Sequence, residues 1–208
     1  MAKRIRFTTA AQVAEAFPGV AEELGDVPAD LSPLEYVAQL VSEENTIPAL
    51  IFTALALPKR DAVWWGCLAL RGMGGADPLT AEGLRLAEAW CRHPEEEERR
   101  AAGEFSEENY FEGAGAWIAF AAFSTSGSMA PAGLQAVPPA PEVSGKSVAM
   151  AVMLATENED AFRMLANQKT AIASAVDFAG DGDGTGPWIE RLNAIASESE
   201  AESDVRAE

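Results

Sequence analysis

Apolar residues recur along much of this chain at the three- and four-residue intervals that place them on one side of a helix. In one run, Ile47, Leu50, Ile51, Ala54 and Leu55 occupy positions i, i+3, i+4, i+7 and i+8. Alternation of apolar and polar residues, which is typical of a half-buried strand, forms no convincing run. The pattern predicts an all-α fold of about eight to ten helices, either a single globular bundle or a short solenoid-like stack.

Polar residues and prolines indicate where several of these helices begin. Ser32 precedes Pro33 and is followed by Glu35, which is the arrangement of a capping box with proline in the first turn. Another helix is predicted to begin at Pro58, because the residue before a proline disfavours helical geometry. Ser106 is predicted to cap a further helix, with acidic residues in its first turn.

Two segments lack the helical pattern. Ser, Gly, Ala and Pro dominate residues 124–147, which are predicted to form an internal loop, and a buried helix is predicted over residues 146–156. Residues 197–208 are acidic and small, so they are predicted to form a disordered tail. The all-helical domain is therefore expected to span residues 7–196.

The charge of the chain narrows the choice of partners. Its 208 residues include 33 acidic and 15 basic side chains, and the formal net charge is −18. Such a charge repels nucleic-acid phosphates and anionic lipid headgroups, so neither nucleic acid nor a membrane is expected as a partner. No apolar run reaches the roughly 18 residues needed to cross a bilayer, and we expect a cytoplasmic protein.

The best candidate binding residues lie in residues 57–65, which read LPKRDAVWW. Lys59, Arg60 and Asp61 stand at a helix start, directly before Trp64 and Trp65. Adjacent residues of a helix point about 100° apart, so at least two neighbouring elements are needed to cover both rings. A guanidinium at position 60 can stack on an indole or bind a carboxylate through two hydrogen bonds. The alternative is a charged helix start that leads into a buried tryptophan helix.

A weaker candidate is a metal site in residues 181–186, which read DGDGTG. Asp181, Asp183 and Thr185 occupy the first, third and fifth positions of a calcium loop. The twelfth position, which supplies a bidentate carboxylate, is Leu192. A glycine-rich turn with aspartate capping is therefore the favoured interpretation, and neither a metal nor another cofactor is predicted.

Catalytic residues are not predicted. His93 is the only histidine, and its place near a helix C-terminus suggests interaction with the last carbonyls. Cys67 and Cys91 stand in apolar helical contexts, where free cysteine is commonly a small buried residue. Residues 95–100 read EEEERR, and this charge run favours a solvated helix face over an acid–base pair. We therefore expect a protein that is not an enzyme.

The block at residues 57–65 resembles the signature of a bacterial domain family of unknown function, which reads LP-x-R-x-AVWW and follows an apolar helix. Such family members often end in an alanine-rich helix followed by a Trp-Pro-like element. Here Ile172 and Ala173 lie in such a helix, and Pro187 and Trp188 follow in the reverse order. Members are often encoded among type VI secretion genes, so the resemblance implies an accessory role in secretion. The family has no established catalytic residues, so the resemblance assigns none to this chain.

Three functions remain open at the level of the sequence. The first is a non-enzymatic interaction protein of a secretion system, whose partner binds near the Pro58 helix or at the proline-rich residues 131–141. The second is an immunity-type inhibitor of a basic toxin, which the negative charge would steer. The third is an enzyme or ligand-binding module whose site is assembled from residues far apart in the chain.

Overall fold

The computed structural model describes residues 4–74, 77–131, 133–191 and 193, and all regular elements within these ranges are helices. The helices are α1 (Ala10–Ala16), α2 (Ala21–Leu24), α3 (Pro33–Ser42), α4 (Thr46–Ala56), α5 (Lys59–Gly72), α6 (Pro78–Arg92), α7 (Glu96–Glu108), α8 (Gly113–Phe123), α9 (Val143–Thr156) and α10 (Ala161–Ala179). A 3₁₀ turn spans Pro18–Val20, and residues 186–191 are also helical. The predicted all-α fold is confirmed as a globular bundle. The predicted tail at residues 197–208 lies outside the described residues.

Helix α8 lies at the centre of the bundle. It packs against α6, α7 and α9, and α9 in turn contacts α4 and α5. Apart from Trp117, Phe120 and the exposed Gly113, all residues of α8 are buried. A helix that is apolar on all sides is suited to such a position. Within the described residues, no helix is long and apolar enough to cross a membrane.

Two glycines allow α6 and α8 to approach each other closely. Gly83 of α6 faces Gly115 of α8, and a Cβ atom added to Gly83 would lie 2.1 Å from the Gly115 carbonyl oxygen. A Cβ atom added to Gly115 would lie 2.5 Å from the carbonyl oxygen of Leu79. Real Cβ atoms do not approach a backbone so closely, so only glycine permits this crossing.

Helix α5 carries the tryptophan pair, and the two rings have different surroundings. Trp65 is fully buried, and its indole N–H donates a 3.0 Å hydrogen bond to the carbonyl oxygen of Ala171 in α10. Trp64 is only partly buried and packs at the edge of the core. Pro58 is the N-cap of α5, so the predicted helix start is correct within one residue.

Two predictions about where helices begin are wrong. Ser106 does not cap a helix: it is a buried residue inside α7, and its hydroxyl lies 2.9 Å from the carbonyl oxygens of both Ala102 and Ala116. The predicted loop at residues 124–147 ends early, because α9 already begins at Val143. The small residues that suggested a loop are instead used for packing. A Cβ atom on Gly145 would lie 2.6 Å from the Leu55 side chain of α4.

The loop before α9 is held by basic side chains of the charge run at residues 95–100. Arg99 is almost fully buried, with 2% of its surface exposed, so the predicted solvated face is wrong at this position. Its guanidinium donates to the carbonyl oxygens of Phe123, at 2.7 Å, and Ser128, at 3.1 Å. Arg99 also donates hydrogen bonds to the Glu96 carboxylate, and Arg100 donates a further one. These bonds, chiefly those from Arg99, lower the pKa of Glu96 to about 2. Arg99 thus links α7 to the end of α8 and to the first part of the loop.

Substitution of each tryptophan by alanine tests the different burial of the two rings. Trp65→Ala should lower the free energy of unfolding by about 3–5 kcal/mol, because it removes a fully buried ring and its hydrogen bond. Trp64→Ala should lower it by only about 1–2 kcal/mol, since part of that ring is already in water. Chemical denaturation at neutral pH measures both values. Equal losses for the two variants would contradict the assignment.

A second substitution tests the buried arginine. Arg99→Ala leaves the last carbonyl of α8, that of Phe123, and the loop carbonyl of Ser128 without this donor, and it should cost about 2–4 kcal/mol of unfolding free energy. The matched control is Arg85→Ala, which removes an exposed arginine paired with Glu82 and should change stability by less than about 0.5 kcal/mol. Chemical denaturation of the unsubstituted protein and of both variants measures the two losses. If Arg99→Ala lowers the free energy of unfolding no more than Arg85→Ala does, the loop does not depend on Arg99.

Candidate functional site

Three helix ends meet at one open cleft of about 390 Å³. They are the start of α5 and the last turns of α6 and α10, and a residue from the N-terminal segment completes the walls. The lining residues are Arg4, Arg60, Asp61, Trp64, Cys91, Arg92 and Phe178. Three arginines and two aromatic rings therefore share one depression on a protein whose net charge is −18.

Arg60 joins the first turn of α5 to the last turn of α6. Its Nε atom donates a 2.6 Å hydrogen bond to the carbonyl oxygen of Cys91, and the Cys91 thiol lies 3.7 Å from the carbonyl oxygen of Arg60. The last carbonyls of a helix have no partner within the helix, and a cation there also interacts favourably with the helix dipole. Among the described residues, the two terminal nitrogens of Arg60 have no hydrogen-bond partner, so they remain available to a ligand.

Arg92 is positioned by Glu88, one turn earlier in α6. Glu88 is 7% exposed, and its two carboxylate oxygens accept from Arg92, at 2.9 Å, and from Arg71 of α5, at 2.5 Å. Burial raises the pKa of Glu88, but the hydrogen bonds from Arg71 and Arg92 outweigh that effect, and the net pKa is lowered. The guanidinium of Arg92 lies 5.6 Å from the centre of the Trp64 ring, within the range of a cation–π contact.

Arg4 completes the cleft from the N-terminal segment. Its Nε atom donates a 2.8 Å hydrogen bond to the carbonyl oxygen of Phe178, and its guanidinium carbon lies 4.1 Å from the centre of that ring. The backbone N–H of Arg4 also donates to the carbonyl oxygen of Ala179, at 3.3 Å. Arg4 therefore caps the C-terminal end of α10, and its terminal nitrogens have no partner among the described residues.

The structure separates the five residues of the predicted binding site into two groups. Arg60, Asp61 and Trp64 line the cleft together. Trp65 lies in the core, and the Nζ atom of Lys59 donates a 3.0 Å hydrogen bond to the carbonyl oxygen of Thr125. Burial lowers the pKa of Lys59, and this lysine secures the start of the loop after α8.

The cleft contains four residues that the sequence did not reveal: Arg4, Cys91, Arg92 and Phe178. Of these four, only Arg92 has a local feature that could have identified it, because it is a basic residue in the last turn of a helix. Arg4 and Phe178 are separated by 174 positions in the chain, so no local pattern relates them.

Comparison with known protein families matches most of the chain to one family. A family of unknown function, DUF6931, matches residues 36–179. The chain belongs to DUF6931. The range that matches DUF6931 includes the block at residues 57–65 and every cleft residue except Arg4. This confirms membership of an uncharacterised family; no curated protein and no solved structure matches the chain.

The two thiols of this DUF6931 protein are shielded from reaction. Both cysteines are buried and free. Burial raises the pKa of Cys91 to about 12, although nearby Arg60 opposes the shift, and burial also raises the pKa of Cys67 well above its ordinary value. The nucleophilic form of cysteine is the thiolate, so neither side chain is activated for attack at neutral pH.

The weak metal candidate forms a turn in the structure. Both the backbone N–H and the hydroxyl of Thr185 donate to one carboxylate oxygen of Asp183, at 2.9 and 2.7 Å. The backbone N–H of Gly184 donates to the carboxylate of Asp177, at 2.9 Å. Asp181 adopts a positive φ of 81°, and Leu192 lies outside the described residues. No group of three or more His, Cys, Asp or Glu residues is placed to share a metal within the described part of the chain.

Two other surfaces expose apolar groups. An open groove of about 520 Å³ lies between the α3–α4 turn, the end of α9 and the start of α10, with Ile47, Met153 and Leu165 among its lining residues. The proline-rich loop before α9 exposes Leu134 and Val137, which are 66% and 53% accessible. Neither surface combines several charges with aromatic rings, as the cleft does.

The carboxylate that positions Arg92 should make stability depend on pH. Because the folded-state pKa of Glu88 is lowered, its stabilising effect is complete above its ordinary value of 4.5 and is lost as the pH falls through the folded-state value. Glu88→Gln should therefore cost about 1 kcal/mol at pH 7, a value moderated by the exposure of both arginines. The difference from the unsubstituted protein should shrink below pH 4.5. A loss that does not vary between pH 7 and pH 3 in urea denaturation would contradict this assignment.

Proposed function

We propose that this DUF6931 protein is a non-enzymatic interaction protein that docks a protein partner in the cleft at the start of α5. The proposal rests on one observation: Arg4, Arg60 and Arg92 converge on an open cleft beside Trp64 and Phe178. Arginine and aromatic side chains are enriched among the residues that contribute most to protein–protein binding. Because each arginine side chain is anchored through one hydrogen bond, the cleft is largely preorganised for a partner.

The chemistry of the lining also favours binding over proton transfer. A guanidinium remains protonated at neutral pH, and the Cys91 thiol, with a pKa of about 12, remains protonated as well. A general acid or base must exchange its proton near the working pH. The arginines and the thiol are therefore better suited to hydrogen bonding than to acid–base catalysis.

For the biological setting, we propose an accessory role in a bacterial secretion system, with type VI secretion as the preferred case. This proposal rests on the resemblance carried by the block at residues 57–65. Arg60 and Trp64 of that block line the cleft, so these two residues carry both the resemblance and the candidate binding surface. A component of the secretion machinery is therefore the partner we expect.

The acidic surface supports a second candidate, an immunity-type inhibitor of a basic toxin. A net charge of −18 would accelerate association with a positively charged protein. The two proposals differ in the surface that binds. An inhibitor that acts through its acidic surface should tolerate loss of the cleft arginines, and its affinity should fall steeply as salt is added.

Affinity capture from the native host tests the proposal. The bait is the tagged protein, compared with the double variant Arg60→Gln/Arg92→Gln and with Arg85→Gln, an exposed arginine on α6 outside the cleft. We expect a secretion component in the first and third captures and at least a tenfold lower recovery with the double variant. Circular dichroism melts confirm that all three baits are folded, and mass spectrometry quantifies the captured proteins.

Three other results would count against it. Capture of a secretion component in equal amounts by all baits would place docking outside the cleft. Capture of one basic toxin, independent of the cleft arginines and sensitive to salt, would favour the inhibitor. Recovery of nothing above background with the unsubstituted bait would argue against an interaction protein.

A further inference from the structure

The chemistry of the cleft indicates what part of a partner it receives. We infer that the cleft binds a short acidic peptide segment, in which one or two carboxylates lie beside an apolar side chain. This inference rests on the proposed function and names the ligand of the same cleft. It is carried by the guanidinium nitrogens that have no partner among the described residues, the aromatic walls and the charge of the surrounding protein.

The arginines present the donors that a carboxylate requires. Arg4 and Arg60 each use Nε to bind a helix carbonyl, and their terminal nitrogens have no partner among the described residues. Arg92 uses one terminal nitrogen to bind Glu88. A guanidinium binds a carboxylate best through two parallel N–H groups, and such charge-assisted bonds are about twice as strong as neutral ones. Because these contacts use only one nitrogen of each guanidinium, most of the N–H groups of the three arginines can bind a ligand.

The aromatic rings form the apolar part of the cleft. Trp64 lies below Arg92, and Phe178 lies below Arg4, at 5.6 and 4.1 Å from the guanidinium carbons. These contacts hold the guanidinium planes in place and reduce the conformational entropy lost when a ligand binds. A ligand with an apolar side chain next to its carboxylate can cover the remaining ring surface, so a peptide fits this lining better than an isolated small anion.

The charge of the whole protein favours a short acidic segment over an extended polyanion. Within the cleft, three guanidiniums face one lining carboxylate, that of Asp61. Outside the cleft, the protein is strongly acidic, with a net charge of −18 overall. A long polyanion such as nucleic acid would continue beyond the cleft and meet this repulsion, whereas one or two carboxylates would remain within the positive region.

Fluorescence anisotropy with defined peptides tests the inference on the full chain. The probe is a fluorescein-labelled acetyl-Gly-Asp-Leu-Glu-Phe-Gly-amide peptide, and its uncharged match replaces Asp by Asn and Glu by Gln. We expect the acidic peptide to bind at least tenfold more tightly than its match. Arg60→Gln and Arg92→Gln should each weaken the acidic peptide about tenfold, whereas Arg85→Gln should leave its affinity unchanged.

The result also separates this inference from the proposed function. Equal binding of the two peptides, or equal affinity in the cleft and control variants, would overturn the carboxylate assignment. If capture of the host partner still depends on the cleft arginines, the proposed function stands while this inference fails. If the acidic peptide binds at the cleft but the captured partner does not depend on it, the inference stands and the docking proposal fails.

Discussion

The close contact of Gly83 with Gly115 is the constraint on which the bundle depends. It brings the backbones of α6 and α8 together so closely that a Cβ atom on either glycine would overlap the other helix. Because α6 and α7 cover one part of α8, and α9 covers another, this helix loses contact with water along nearly its whole length. Helix α5 then packs between α6 and α9, and this placement directs Trp65 toward α10.

The cleft follows from the way the helices end. The last carbonyls of α6 and α10 require donors, and Arg60 and Arg4 supply them through Nε. A lysine would have used its only charged group for the same contact, whereas a guanidinium retains further N–H groups. Because the last carbonyls of α6 and α10 are bound by arginines, further N–H groups of these guanidiniums face the cleft. This reasoning explains how an acidic protein comes to have a small positive cleft.

Local signals predicted the helices well where the chemistry is local. The capping box at Ser32 and Glu35 forms as expected, because its two hydrogen bonds lie within one turn. Predictions failed where small or charged residues meet distant partners. Ser106 was assigned to a cap because serine favours caps, but in the fold its hydroxyl reaches the carbonyl of Ala116 on the next helix. Arg99 has the sequence context of a surface residue, but in the fold it binds the carbonyls of Phe123 and Ser128, 24 and 29 positions away.

The sequence by itself determined that the protein is all-helical, where several helices begin, how acidic it is, and that Arg60, Asp61 and Trp64 lie close together. These properties depend on neighbours within about two turns, whose geometry is the same in any helix. Only the tertiary structure decided that Trp65 enters the core while Trp64 reaches the surface, and that Arg4, Arg92 and Phe178 join the cleft. Those choices depend on packing between segments as far as 174 positions apart, where burial of apolar surface and close helix contacts outweigh local preference.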